Sequence, residues 1–500
     1  MSLGRNVVAN FLGQGWAALL GLLFVPAYAT ALGMEAYGLV GAFAILFACM
    51  SILDFGISPT ITRELARLRA GAHSADSARD LLRSLEVACT VIAAAMALIL
   101  WILSDVISRN WLTAETLSQS SVSGVVKIMA LLLAARWLEQ VYRGALQGLE
   151  DFVWINVAQA FFATLRWCGA YVVVVYVDAS IHSFFVWQVL VSALTMGTLI
   201  TRTYYILPPG LRNARFSLTA LLKVRRYATG MFAVSVLALA LTQMDRFAIS
   251  TLLPLDQLGL YSIAAAAAGG LMQIVTPINV AIYPRLTQLV TMGDQGSLRH
   301  IYIRACEWMA FAIVPPAILM VTLPQHVLLA WSGNQELAIH AAALLQLLAA
   351  GSLCNALMST PYAMQLAHGW TGLAVRVNVV AVVVTIPAMF WATSRFGAPG
   401  AAGVWFSLNA SYVLIGAHFM YRTLVPDIKW KWYAQCVASP LVAALVTAAI
   451  LLATLPQAES RPVSMAVCVA SMVFLYAATG LCLSGPRQLL FRLTKWFRKA

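Results

Sequence analysis

The chain has 500 residues, of which 61% are hydrophobic and only 10% are charged, and its mean hydropathy is +0.82. Soluble globular proteins are roughly 45–50% apolar and about 25% charged, so this composition excludes a soluble protein and indicates a polytopic membrane protein in the lipid bilayer. The net charge of +13 could suggest nucleic acid, but no run alternates basic and stacking aromatic residues, and nucleic acid is set aside as a partner.

Fourteen apolar segments follow one another along the chain, each near the roughly 20 residues that a spanning helix needs. They predict an all-α fold of about 14 transmembrane helices. The segments are 8–31, 37–57, 86–107, 122–146, 152–177, 183–205, 227–252, 258–284, 304–326, 338–366, 373–394, 400–421, 435–455 and 463–483.

The stretch Met244–Tyr261, MDRFAISTLLPLDQLGLY, predicts a helix that breaks at Pro254 and restarts at once. A looser copy, LGMEAYGL, occurs early in the chain, and aligning the two stretches places Gly38 on Gly259. We interpret these repeated stretches as a duplicated helical bundle, as in many transporters; a chance match between two helical hairpins is the alternative. The predicted regions are an N-terminal six-helix lobe (1–205), a basic cytoplasmic linker (206–226), a C-terminal six-helix lobe (227–432), two additional transmembrane helices (433–483) and a basic cytoplasmic tail (484–500).

Basic residues fix the expected orientation. If the N-terminus is inside and the spans alternate, 25 of the 32 Lys and Arg residues fall on the inside, three fall outside and four lie within spans. Cytoplasmic loops carry such an excess. The distribution therefore predicts that both termini are cytoplasmic.

Signatures of catalysis are missing from the sequence. It has no G-x-x-x-x-G-K-[ST] loop, no His, Cys and Asp cluster at metal spacing and no C-x-x-C among its eight cysteines. No predicted outside loop exceeds about 20 residues, whereas a membrane glycosyltransferase or glycan polymerase would need a larger one for its chemistry. We expect a protein that is not an enzyme and that holds no cofactor or metal.

Two neighbouring spans carry polar stripes with arginines near mid-membrane. A charge there costs about 2.5–3.5 kcal/mol on insertion scales and needs a reason, and guanidinium groups suit phosphate or carboxylate. The stripes predict a cationic, water-accessible cavity that binds substrate. They consist of Arg136, Glu139 and Arg143 on the fourth span and Asn156, Gln159 and Arg166 on the fifth. The candidate substrate-binding residues among them are Arg136, Asn156, Gln159 and Arg166.

A structural explanation of the same stripes is that Glu139 pairs with Arg136 or Arg143 and only holds helices together. That explanation leaves Arg166 without an evident acid at its depth. Arg246, in the seventh span, is a further candidate substrate-binding residue of the cavity.

Three acids are candidates for coupling transport to H⁺ or Na⁺, or for gating: Asp54, Asp245 and Glu139. Interhelical salt bridges are the alternative explanation for Asp54 and Asp245. His418, alone on an apolar span, is expected to be a hydrogen-bonded core histidine.

Two long stretches carry a family resemblance. Residues 5–57 (RNVVANFLGQGWAALLGLLFVPAYATALGMEAYGLVGAFAILFACMSILDFGI) resemble the polysaccharide transporter family, the O-antigen and exopolysaccharide flippases. Residues 244–266 (MDRFAISTLLPLDQLGLYSIAAA) resemble the start of the second lobe of the same family.

The resemblance implies the fold of the multidrug/oligosaccharidyl-lipid/polysaccharide exporter superfamily, with two six-helix lobes in a V. It implies translocation of undecaprenyl-diphosphate-linked oligosaccharide to the outer leaflet of the bacterial cytoplasmic membrane, for O-antigen, capsule or exopolysaccharide synthesis. The lipid-linked oligosaccharide is then the substrate, and a polysaccharide polymerase and a chain-length regulator are expected partners.

Three alternatives stay open at this point. A multidrug antiporter shares the fold, but binding of cations suits acids better than central arginines. A lipid II flippase has fourteen spans, but its arginine-rich first-span pattern is absent from residues 1–60. A membrane-embedded glycan polymerase or glycosyltransferase, from a different class, is disfavoured by the short outside loops.

Overall fold

The computed structural model describes residues 3–52, 61–62, 64–65, 68, 75–209, 215–216, 239–454, 456 and 458–487. Every regular element in this part of the chain is helical, which confirms the all-α prediction. The chain divides into two compact units, Met1–Gly259 and Leu260–Ala500. The predicted region boundaries at 205, 226 and 432 stay a prediction.

Helices α1 to α7 lie in the first unit, over the residues that the structure describes. The fifth ends in a π-helical turn, Val173–Val177. The helices are α1 (Leu3–Leu32), α2 (Met34–Ile52), α3 (Ala75–Asn110), α4 (Gln119–Gly148), α5 (Phe152–Val172), α6 (Ile181–Ile206) and α7 (described over 239–252).

The eighth helix begins at the end of the first unit, and the rest of the second unit follows it. Its helices are α8 (Leu255–Met292), α9 (Gln295–Thr322), α10 (Pro324–Ser332), α11 (Gln335–Ala367), α12 (Thr371–Ser411), α13 (Ala417–Leu424), α14 (Ser439–Thr454) and α15 (Arg461–Cys482). Short helical turns at Tyr412–Gly416, Pro426–Ile428, Lys429–Lys431 and Trp432–Ala438 join α12 to α13 and α13 to α14.

Eleven helices within the described residues are long and apolar enough to cross a membrane. The helical stretch Arg376–Leu424 covers two predicted spans, and its backbone kinks at Gly397, where φ is 65°. Met34–Met50 is a shorter apolar helix at the second predicted span. The polytopic membrane architecture is therefore confirmed.

The break in the second of the repeated stretches lies where the sequence predicts it, because the helix over 239–252 stops and α8 restarts at Leu255. A Cβ on Gly38 would come within 3.0 Å of the Leu255 carbonyl oxygen, and a Cβ on Gly259 would do the same at Met34. The alignment that places Gly38 on Gly259 also places Met34 on Leu255, so the two contacts are reciprocal. This reciprocity supports the repeat.

Contacts among five helices set the frame of the first unit: α1 packs on α5, and α4 packs on both α3 and α6. The Trp16 indole donates to the Thr164 hydroxyl at 2.9 Å. The Trp187 indole donates to the Leu165 carbonyl at 3.0 Å, and Gly169 leaves room for the same ring. These contacts fix the rotation of α5, the helix that carries Arg166.

In the second unit α11 packs on α9 and α12, and α14 packs on α15. A buried Tyr302–Tyr421 hydroxyl pair, 2.5 Å apart, and Trp432 lie at its core. His418 is exposed and its Nδ1 lies 3.0 Å from the Lys429 ammonium. The expectation of a core histidine is wrong, because that side of α13 faces outward.

Candidate cationic cavity

A cavity of about 280 Å³ lies within the first unit, between α4, α5 and α6, with Ala17 of α1 and Phe47 of α2 also lining it. Its charged members are three arginines and one glutamate. The polar lining residues are Arg136, Glu139, Gln140 and Arg143 on α4, Gln159 and Arg166 on α5, and Thr195 on α6.

The geometry of α4 explains how four polar side chains reach one cavity. Their spacing of i, i+3, i+4 and i+7 places all of them on one face of a helix. On the facing helix α5, Gln159 and Arg166 stand at i and i+7, which also puts them on one face. The sequence therefore presents two matching polar faces to each other across the cavity.

Arg166 does have an acid at its depth, which corrects the sequence-based expectation. Its Nη2 lies 3.4 Å from Glu139 Oε1 and donates to the Ser192 hydroxyl at 3.0 Å. Glu139 is only 4% exposed. The acid thus pairs across helices with Arg166, and not with Arg136 or Arg143 on its own helix.

The other two arginines have neutral partners. Arg136 Nη2 donates to Gln188 Oε1 at 3.5 Å, and its Cζ lies 6.0 Å from the ring centres of Phe43 and Phe47. Arg143 Nη1 donates to Gln159 Oε1 at 2.8 Å. Cation–π contacts hold a guanidinium without cancelling its charge.

The positive charge of the cavity lining is therefore only partly compensated. Three guanidinium groups stay ionised against one carboxylate, which leaves an excess of two positive charges on the lining. The Nε atoms of Arg136, Arg143 and Arg166 are buried with no hydrogen-bond partner among the described residues. An anion in the cavity would lower the cost of burying this charge.

The remaining predicted site residues do not line this cavity. Asn156 donates from Nδ2 to the Phe152 carbonyl at 2.7 Å and packs against Gly13. Arg246 and Asp245 are partly buried on α7. Asp54 lies outside the described residues.

The contribution of α6 was missed by sequence reasoning. Gln188, Ser192 and Thr195 follow the spacing i, i+4 and i+7, which is a polar stripe like those of α4 and α5. The stripe is visible in the sequence, but its members are uncharged and stand out less than arginine in an apolar span. Arg143 was placed in its stripe but not among the substrate-binding residues.

Comparison with known proteins identifies the family of the chain. The sequence model of the family described as "Polysaccharide biosynthesis protein" matches residues 3–290, more than half of the chain. The chain belongs to this family. A Shigella flexneri protein named "Putative O-antigen transporter" is 22% identical over 405 residues, which is 81% of this chain and 94% of that protein.

Several solved structures share the fold, among them a flippase and a multidrug transporter. "Lipid II flippase MurJ, inward closed conformation" has a TM-score of 0.70 at 12% identity, and the match covers 96% of this chain and 99% of that one. An inward-facing multidrug resistance MATE family transporter of the MOP superfamily has a TM-score of 0.67 at 13% identity, and the match covers 81% of this chain and 95% of that one. These relatives are transporters and flippases, in agreement with the prediction that the chain is not an enzyme.

Proposed function

We propose that the chain is a flippase that moves undecaprenyl-diphosphate-linked oligosaccharide repeat units from the cytoplasmic to the periplasmic leaflet of the bacterial cytoplasmic membrane. The units feed synthesis of O-antigen, capsule or exopolysaccharide, and the mechanism is alternating access. Both termini lie in the cytoplasm. The observation that carries the proposal is the cavity lining of three partly buried arginines and one buried glutamate in a chain of the polysaccharide biosynthesis family.

The chemistry of the cavity fits a diphosphate. Guanidinium groups bind phosphate oxygens through paired N–H donors and keep their charge when buried. Arg136 and Arg143 have neutral partners within the described residues, so binding an anion requires no ion pair to break. Arg166 and Gln159 lie on the facing helix and complete the binding surface.

The positive charge of the cavity lining also separates the alternative functions. A multidrug antiporter has the same fold, but an organic cation would meet a net positive lining. A lipid II flippase would also need a diphosphate site, and the fold match to one keeps this as the second candidate. The substrates of these two kinds of flippase differ in the glycan attached to the diphosphate.

Complementation of a gene deletion tests the proposal. The deletion strain should lose surface polysaccharide and accumulate lipid-linked oligosaccharide that is accessible only from the cytoplasmic side. Wild-type protein should reverse both changes. Arg136→Gln and Arg143→Gln should reverse neither while the protein level stays normal, because neither change breaks an ion pair in the described residues.

Arg109→Gln is the matched control, since Arg109 is an exposed arginine of the same unit. Loss of surface polysaccharide without accumulation of a complete lipid-linked unit would point to assembly and to a polymerase or transferase. Normal polysaccharide with increased sensitivity to cationic drugs would favour the antiporter. Accumulated lipid II, with surface polysaccharide intact, would favour the second candidate.

A further inference from the structure

The second unit has a cavity of its own, of about 240 Å³, lined by residues of α11 and α12 and the turn Tyr412–Gly416. None of its nine lining residues is charged. Three of them carry amides and three carry hydroxyls. These are Asn355, Gln365 and Asn378, and Ser359, Tyr362 and Tyr412.

A buried amide pair holds Asn355 in a defined orientation. Asn409 is fully buried and donates from Nδ2 to the Trp405 carbonyl at 2.8 Å, so its Oδ1 must act as an acceptor. Asn355 Nδ2 donates to this oxygen at 2.8 Å. The side-chain oxygen of Asn355, Oδ1, is therefore free to accept a hydrogen bond from another donor.

Gln365 supplies an independent observation. It lines the cavity with only 5% of its surface exposed, and its side-chain amide makes no hydrogen bond to any residue that the structure describes. The Gln365 amide atoms are not among the fully buried polar atoms that lack a partner, so they are open at the cavity surface. The position therefore offers both donors and acceptors to a polar group in the cavity.

The two tyrosines add a mixed polar and aromatic surface. The Tyr412 hydroxyl donates to Asn378 Oδ1 at 3.3 Å, which leaves the Asn378 NH₂ group as a donor. Tyr362 is 47% exposed, so part of its ring is open to contact. Amide donors, amide acceptors and an aromatic face together match a molecule that carries many hydroxyls on a partly apolar ring.

We propose that this second cavity binds an uncharged sugar ring. The inference rests on the proposed function, which supplies the sugar as the glycan of the lipid-linked substrate. A phosphate would find no cation among the lining residues, and an organic cation would find no carboxylate. An acyl chain would bury six hydrogen-bonding side chains against hydrocarbon, which is unfavourable.

Binding to the purified full-length protein in detergent tests the assignment with two probes. One probe is the lipid-linked oligosaccharide extracted from the gene-deletion strain, and the other is undecaprenyl diphosphate without sugar. Gln365→Leu should fold normally because it removes an amide that has no partner in the described residues. It should weaken binding of the glycosylated probe about tenfold and change binding of undecaprenyl diphosphate by less than about twofold.

Asn378→Leu is the second variant, with the same expected selectivity. Gln346→Leu is the matched control, because Gln346 is an exposed glutamine on the same helix as Gln365. Equal loss of both probes, or unchanged affinity for both, would overturn the sugar site and leave the flippase proposal standing. Failure of the wild-type protein to bind either probe would overturn the flippase proposal and the sugar site with it.

Discussion

The two cavities are built on the same helix pattern and differ in charge. Four residues of α4 line the first cavity at the spacing i, i+3, i+4 and i+7, and four of the five α11 residues that line the second cavity follow the same spacing. These are Arg136, Glu139, Gln140 and Arg143 in the first unit, and Asn355, Met358, Ser359 and Tyr362 in the second.

A second correspondence involves the helix opposite. Gln188 accepts from Arg136, and Asn409, at the position that the repeat alignment gives it, accepts from Asn355. The two units thus keep an acceptor amide at equivalent positions, but its donor differs. The donor is a guanidinium in the first unit and an amide in the second, and the alignment places Arg136 on Leu357, two residues from Asn355. The comparison teaches that one repeated framework carries two kinds of recognition, because function resides in the site and not in the fold.

The largest effect should follow from making the first cavity resemble the second. Arg136→Asn puts into the first cavity the residue type that Asn355 supplies to the second. Loss of a desolvated charge contact costs about 2–5 kcal/mol, so transport should fall on the order of 100-fold at an unchanged protein level. Asn355→Leu in the second cavity should reduce transport less. Equal losses in a complementation assay would contradict the assigned difference between the cavities.

Removing the ion pair of the first cavity should separate stability from transport. Arg166→Gln leaves Glu139 charged, buried and unpaired, which costs about 3–5 kcal/mol of folding free energy. The double variant Glu139→Gln/Arg166→Gln should recover most of this stability and still not transport. Thermal unfolding in detergent measures the first effect and complementation measures the second. Transport by the double variant would show that the pair serves only packing.

The glycines of the two repeated stretches give a symmetric test. Gly38→Ala and Gly259→Ala each place a Cβ within 3.0 Å of a backbone carbonyl, and overpacking of this kind costs about 1–3 kcal/mol. Because the two contacts are reciprocal, the two losses of melting temperature should be similar. Gly15→Ala is the control, since nothing lies within 4 Å of its added Cβ. A large loss in only one variant would break the symmetry.

Replacing the acceptor amides, Asn409 and Gln188, should have a smaller effect on stability. Asn409→Ala removes one buried hydrogen bond to Asn355 and one to the Trp405 carbonyl, each worth about 1 kcal/mol. Gln188→Ala removes a longer bond, 3.5 Å, and should cost less. Denaturant titration of both variants tests the ranking. The opposite order would show that the Arg136 contact is the stronger one.

The smallest effect concerns Asp178, on the link between α5 and α6. Hydrogen bonds from Ser180 and Ser183 lower the pKa of this carboxyl. Its stabilisation is therefore present above the ordinary carboxyl pKa and is lost as the pH falls through the lowered value. Ser183→Ala should therefore make the fall in melting temperature at acid pH smaller than in the wild-type protein. An unchanged pH profile would contradict the contribution of these bonds.

Sequence reasoning reached most of the fold and part of the site. The apolar periodicity and Pro254 located the helices and the break, because hydrophobic length and proline act locally. The Arg166–Glu139 pair was not predicted, since partner choice depends on how α4 and α5 are rotated against each other. The neutral cavity of the second unit was missed because Asn355 and Gln365 carry no charge that stands out in an apolar span.

The central claim is that the first cavity holds the diphosphate during transport. Its most direct test is translocation in proteoliposomes of the lipid-linked oligosaccharide extracted from the deletion strain. Wild-type protein and Arg109→Gln should expose this lipid on the opposite leaflet, and Arg136→Gln should not. Translocation by Arg136→Gln at the wild-type rate would contradict the account.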